Sequence, residues 1–223
     1  NQQPLKWIQL LSSEKQETRC RARTIIDELS QMNVSKAKYF DHHQKFFKEF
    51  QLEPLFQWAN LKRLKIGTYF EGKSVFIPDL WSVNFYNGVT NTIQTHYASN
   101  VDNLTIAEVG TGNGNVIIEA VLSANGTPKL AWGGDINPDA IALAKLNAIV
   151  NGVKIDGSHI VTADKRLLKD VFDFKVSNLL DAGPASIDLI IGCIPQVTNE
   201  LDEFSISKVG ADKLEDTEFL YSL

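Results

Sequence analysis

The residues best spaced for chemistry lie mid-chain. Leu104-Thr-Ile-Ala-Glu-Val109 is a short, mostly apolar run that passes directly into Gly110-Thr-Gly-Asn-Gly114 and then into the helical pattern Val116-Ile-Ile-Glu-Ala-Val-Leu122. Glycine permits positive φ and lets a ligand approach the backbone, and the free N–H groups at a helix start can hold a polar or anionic group. A glycine turn alone is weak evidence, since it also lets a helix pack on a strand. Here it is followed by Lys129-Leu-Ala-Trp-Gly-Gly-Asp135, which reads as a second strand ending in a carboxylate able to accept both hydroxyls of a ribose. Asn137 then suits an N-cap and Pro138 the first helical position, with Ala140, Ile141, Ala144 and Ala148 as a buried stripe ended by Gly152. The pattern is a nucleoside-binding β-α-β unit. The dinucleotide fingerprint wants a small residue where Asn115 stands, so the G-x-G-x-G spacing disfavours a nicotinamide site.

Other elements must position that turn. Ala22, Ile25, Ile26, Leu29 and Met32 recur on one helical face, as do Tyr39, His43, Phe46, Phe47 and Phe50. Adjacent His42 and His43 point about 100° apart on a helix and cannot easily share a metal ion, so packing and solvent roles are expected and no metal site is assigned. After the basic Lys62-Arg-Leu-Lys65, the chain reads as extended through Val75-Phe-Ile77, stopped by Pro78, and continuing from Asp79 to Tyr86. Phe85, Val89, Ile93 and Tyr97 then step by four, as in a helix. Beyond residue 103 strands and helices alternate: Phe172 to Leu180 reads as a third strand and Ile187-Asp-Leu-Ile-Ile191 as a fourth. That order predicts an α/β fold, a parallel sheet covered by helices.

Composition bounds the rest. The 223 residues include 43% hydrophobic and 22% charged, values of an ordinary globular chain. Twenty-two Lys+Arg against 27 Asp+Glu give a net charge of −5, no general reason to bind nucleic acid. Cys20 and Cys193, far apart, suggest neither a disulfide framework nor a zinc site, and a reducing cytoplasm is the expected setting. No apolar run approaches membrane-spanning length and no signal sequence opens the chain, so neither membrane nor secretion is expected. Nothing in the residues decides for or against a homo-oligomer.

With Glu108 two positions before its first glycine, the turn resembles motif I of the class I S-adenosylmethionine-dependent methyltransferases. The resemblance implies a Rossmann-like sheet and a cofactor set of Glu108, Gly110, Thr111, Gly112, Gly114, Asn115, Asp135, Ile136 and Asn137. Asn178 and Leu179 would lie by the adenine, where an acidic side chain is common. Methyltransferases acting on nitrogen carry Asn/Asp-Pro-Pro-Tyr/Phe after the fourth strand, whereas this chain has Gly192-Cys-Ile-Pro-Gln196, without the usual grip on an amine. That string resembles the methionine S-methyltransferases. So do Ser74-Val-Phe-Ile-Pro-Asp-Leu-Trp-Ser-Val-Asn-Phe-Tyr-Asn-Gly88, Gly134-Asp-Ile-Asn-Pro138 and Glu218-Phe-Leu-Tyr-Ser-Leu223; the similarity covers about residues 62 to 223. It implies an N-terminal helical region over 1–73 and a methyltransferase domain over 74–223. A seven-stranded sheet would need three strands beyond the fourth, so the sheet is expected to be incomplete at the C-terminus of this chain.

The implied reaction moves a methyl group from S-adenosylmethionine to the sulfur of L-methionine, giving S-methylmethionine and S-adenosylhomocysteine. S-Methylmethionine can serve sulfur storage or dimethylsulfoniopropionate synthesis. A thioether has no proton to lose, so no general base is required and positioning dominates. Aromatic faces suit a sulfonium, which makes Trp81, Phe85 and Tyr86 candidates for the acceptor site, together with Cys193 and Ile194. Cys193 also borders the expected cofactor. Tyr86, Pro195 and Gln196 are the candidate catalytic residues, acting by orientation. The alternatives are transfer to a protein glutamine amide, as in the release-factor methyltransferases, and a degenerate methyltransferase fold that only binds.

Overall fold

The computed structural model describes residues 3–31, 36–52, 56–61, 64–70, 73–74, 80–124, 126–151, 154–156, 159–161 and 168–192. Three helices come first: α1 (Gln3–Leu11), α2 (Gln16–Gln31) and α3 (Lys36–Glu49). Of the expected stripes, Ala22, Ile25 and Ile26 of α2 and Phe46 and Phe47 of α3 are buried, clustering with Trp7, Leu10 and Leu11 of α1, and Phe50 is partly buried beside them; Met32 and the side chains of Leu29 and Tyr39 lie outside the described set. His43 turns inward, its Nε2 2.9 Å from Glu28 Oε2, and so joins α3 to α2.

The helical expectation for the N-terminal region does not hold to residue 73. Strands β1 (Phe56–Leu61), β2 (Leu64–Phe70) and β3 (Lys73–Ser74) form an antiparallel meander. The reason is period: Leu64, Ile66, Thr68 and Phe70 alternate with Lys65, Gly67 and Tyr69, a repeat of two that no helix can use. Helix α4 (Leu80–His96) contains the expected Phe85, Val89 and Ile93 steps and begins earlier, taking in most of the Asp79–Tyr86 stretch. Its buried stripe is Tyr86 and Ile93 with Val89 and Tyr97 packed beside them, which leaves Phe85 at the margin, 39% exposed. Residues 75–78, read as extended and proline-stopped, lie outside the described residues.

A short 3₁₀ turn at Val101–Asn103 leads into β4 (Thr105–Val109), α5 (Asn115–Ser123), β5 (Leu130–Asp135) and α6 (Pro138–Asn151). A small hairpin of β6 (Lys154–Asp156) and β7 (His159–Val161) and the single turn α7 (Leu168–Val171) precede β8 (Phe172–Val176) and β9 (Leu189–Gly192). Strands β8-β5-β4-β9 make a parallel sheet in that order, so the expected α/β, Rossmann-like architecture is the observed one. The chain moves outward from β4 through β5 to β8, then returns to the other side of β4 as β9. Val109 lies opposite Gly134 on one side and Gly192 on the other, so the carboxyl ends of three strands meet at this reversal. Open α/β sheets bind their ligands at such a switch point. Among the described residues no helix is long and apolar enough to cross a membrane.

Candidate functional site

The turn after β4 is built on three left-handed glycines: Gly110, Gly112 and Gly114 have φ of +69°, +54° and +78°. A side chain at such φ costs roughly 1–2 kcal/mol each, which is why the sequence repeats glycine here. Thr111 N–H donates to the Gly134 carbonyl at 3.0 Å and Gly114 N–H to the Thr111 carbonyl at 2.8 Å, closing the loop against β5. Gly112 N–H donates to Asp135 Oδ2 and Asn137 N–H to Asp135 Oδ1, both at 2.9 Å. The glycine turn and the second-strand carboxylate are therefore directly bonded. Asn137 caps α6, its Oδ1 accepting the Asp139 N–H at 3.0 Å and its carbonyl the Ile141 N–H at 3.2 Å. Half-buried Ile136 sits between these two groups.

Glu108 is fully buried beneath the turn. Its Oε2 accepts the Thr111 hydroxyl at 2.6 Å and the Ile117 N–H at 3.3 Å, while Oε1 has no hydrogen-bond partner. Burial pushes its carboxyl up to about 8; the Thr111 and Ile117 hydrogen bonds oppose the rise and the Asp135 charge adds to it. Glu108 thus ties the strand to the turn and to the first turn of α5.

Asn115, at the start of α5, donates from Nδ2 to the Tyr86 hydroxyl. Tyr86 is buried in the core, so the residue expected at the acceptor reaches the turn from α4 through Asn115 instead. The structure does not bring Phe85 and Tyr86 to a common exposed face. Trp81 lies one turn before Phe85 on α4, and its side chain is outside the described set. Sequence reasoning missed two supports. Buried Asn147 on α6 donates from Nδ2 to the Asn113 carbonyl at 2.9 Å, and its signal was a lone amide within an apolar helix. Gly133 is the other: a Cβ there would lie 2.7 Å from the Phe174 ring and 2.9 Å from the Thr111 hydroxyl.

The turn after β8 joins the same end of the sheet, Ser177 N–H donating to the Asp135 carbonyl at 3.0 Å. Asn178 is exposed there, its carbonyl accepting the Asp181 N–H, and Leu179 adopts φ +48°, a left-handed value uncommon for leucine. At the end of β9 a Cβ on Gly192 would meet nothing within 4 Å among the described residues. Cys193, Ile194, Pro195 and Gln196 follow in sequence and lie outside the described residues.

Over 159 residues, 70% of its length, the chain is 37% identical to a protein of Hordeum vulgare named methionine S-methyltransferase. A namesake from Zea mays is 35% identical over 165 residues, and one from Arabidopsis thaliana is 28% identical over 216 residues, 94% of this chain. The chain is homologous to one segment of the methionine S-methyltransferases. It spans a small share of their length, 14% of the Hordeum vulgare and Zea mays proteins and 19% of the Arabidopsis thaliana one. No protein-family profile matches it. Within the segment shared with the methionine S-methyltransferases lie the glycine turn, Asp135 and the strand order that bring three strand ends together.

Proposed function

We propose that this chain forms the S-adenosylmethionine-binding part of an enzyme that methylates the sulfur of L-methionine. The observation that carries the reading is the Gly112 N–H bonded to Asp135 at the carboxyl ends of two adjacent parallel strands, beside the switch point, in a segment homologous to the methionine S-methyltransferases. The residues fit such a nucleoside. Gly110 and Gly112, left-handed and only partly buried, leave backbone open to a ligand, Asp135 suits the ribose hydroxyls, and among the described residues Gly192 leaves space at the end of β9. When bound, S-adenosylmethionine supplies the methyl group: a lone pair on the acceptor sulfur forms the new S–CH₃ bond while the old bond's electrons return to the donor sulfur, and no proton moves.

The chain's own work is then orientation. Asn115 and the turn hold the methionyl end, with Tyr86 positioning Asn115. Asn178 and Leu179 border the adenine, the amide oxygen accepting from its amino group. Phe85, partly exposed on α4, can offer an aromatic face to a sulfonium at roughly 0.5–2 kcal/mol, and Trp81 is the second aromatic candidate. Cys193, Ile194, Pro195 and Gln196 line the acceptor side, and Tyr86 reaches it only indirectly.

The test is mass spectrometry with methyl-labelled S-adenosylmethionine and free methionine, with glutamine and homocysteine as competitors. Labelled S-methylmethionine is the expected product, and label on glutamine instead would overturn the assignment. Asp135→Ala, which removes the ribose acceptor, should weaken cofactor binding roughly 10- to 100-fold, the equivalent of one or two charged hydrogen bonds. Unchanged affinity would remove Asp135 from the site. Absence of cofactor binding by the native chain would favour the degenerate fold.

A further inference from the structure

Glu108 is the ionisable group that methyl transfer leaves unused. It sits at the carboxyl end of β4 with no exposed surface, one oxygen held by Thr111 and Ile117 and the other, Oε1, without a hydrogen-bond partner among the described residues. Buried carboxylates are ordinarily paired with a cation. Here the neighbouring charge is Asp135 on β5, of the same sign. Among the described residues, the ionisable groups on the helices packed over this side do not supply a cation either, His96 of α4 and Lys145 of α6 being exposed. Tyr86 of α4 takes the Asn115 amide, Glu119 of α5 takes the Ser123 hydroxyl at 2.7 Å, and Asp139 of α6 is acidic. On the β9 side the neighbour in register is apolar Ile191.

We propose that Glu108 determines specificity between donor and product: it releases its proton when a cationic ligand occupies the turn and keeps it when a neutral one does. The inference rests on the S-adenosylmethionine reading above. The donor carries a sulfonium charge that S-adenosylhomocysteine lacks, and the two are otherwise alike at this turn. A positive charge brought near a dry, unpaired carboxyl favours its ionised form. By linkage, the ionised form must favour the cationic ligand by the same factor. Asp135 differs from it in holding a backbone N–H on each oxygen, Gly112 on Oδ2 and Asn137 on Oδ1. Binding of the donor therefore sends a fraction of a proton to solvent, at most about half for a one-unit displacement, and that fraction returns once the site holds the thioether.

The sign follows from the raised carboxyl, which burial holds protonated until about 8. Below that value the donor must displace a proton to bind, and above it the carboxylate is already charged. Preference for the donor over the thioether should thus rise with pH and level off.

The experiment measures dissociation constants of S-adenosylmethionine and S-adenosylhomocysteine for the native chain by calorimetry between about pH 6 and about pH 9. Two buffers of different ionisation enthalpy count the protons released. The expected result is a donor preference that grows up to about tenfold over this range, the effect of a one-unit displacement of one carboxyl, with proton release on donor binding alone. Glu108→Gln retains an acceptor for Thr111 and Ile117 and should give a flat ratio. A flat ratio in the native chain with both ligands bound overturns the inference and leaves the functional reading standing, as does a slope that survives in Glu108→Gln. Failure of the native chain to bind either ligand overturns the functional reading, and this inference with it.

Discussion

Helix α6 is where two differently made regions meet. Toward the sheet it presents Ile141, Ala144 and Ala148, and Ala144 sits so close to Gly114 that a Cβ on the glycine would come within 3.0 Å of the alanine methyl. Toward the N-terminal helices it presents Ala140, Leu143, Leu146 and Val150, packed with Trp7, Leu10, Leu11 and the aromatics of α3. The first region is held by directed hydrogen bonds and unusual dihedrals, so one added atom disturbs it. The second is held by buried apolar area, so it tolerates changes of shape but not removal of bulk. The ligand turn is limited by geometry and the helical layer by area.

The largest effect should come from removing bulk in the helical layer. Trp7 is buried at the centre of that cluster, its ring 6.2 Å from Phe47 and 6.4 Å from Phe46. Trp7→Ala should cost about 3–5 kcal/mol in urea denaturation. If the regions are specified separately, S-adenosylmethionine affinity of the folded variant should stay within about twofold of native, as for sites without shared partners. A matching loss of affinity would show that the layer sets the turn's shape and would break the distinction.

A smaller but more revealing effect is expected from adding a methyl group. Gly114→Ala forces a left-handed residue and drives its Cβ against Ala144 and Ile118, the latter at 3.2 Å. The dihedral costs roughly 1–2 kcal/mol and the crowding a similar amount. Stability and ligand affinity should fall together in this variant, in contrast to Trp7→Ala. Loss of stability with unchanged affinity would mean that the turn relaxes without consequence for the site.

The same contrast explains what could be read from the sequence. The turn is written in local terms, glycines at fixed spacing, a carboxylate at a strand end and an Asn-Pro helix start, so its strands, helix and bonded pair of turn and Asp135 follow from short windows. The helical layer's seat on α6 depends on contacts more than a hundred residues apart. Its signal was present but diluted: Ala140 to Val150 is apolar on nearly every side, which a helix covered on one face does not need. The single stripe of Ala140, Ile141, Ala144 and Ala148 merges the two sides, since Ala140 packs with the N-terminal helices and the other three with the sheet. The strands at 56–70 are obscured in the sequence by the basic cluster of Lys62, Arg63 and Lys65, which interrupts the alternation that Leu64, Ile66, Thr68 and Phe70 carry. Tyr86 was legible as important but not as buried, since a neighbouring stripe beginning at Phe85 fitted the helical period equally well.

The smallest expected effect concerns the polar contact between the two regions. The Arg23 guanidinium on α2 donates to the carbonyls of Ile149 at 3.1 Å and Val150 at 2.9 Å, in the last turn of α6, where the helix dipole favours a cation. Arg23→Ala should cost about 1–2 kcal/mol, and Arg23→Lys should recover only part of that, because an ammonium cannot fork across two carbonyls as a guanidinium does. Amide hydrogen exchange sharpens the comparison. The C-terminal amides of α6 should exchange faster in Arg23→Ala, while those of Gly112, Gly114 and Asn137 keep their native rates. Acceleration at Gly112 and Asn137 as well would mean that α6 transmits strain along its length, and the ligand turn would then answer to the helical layer after all.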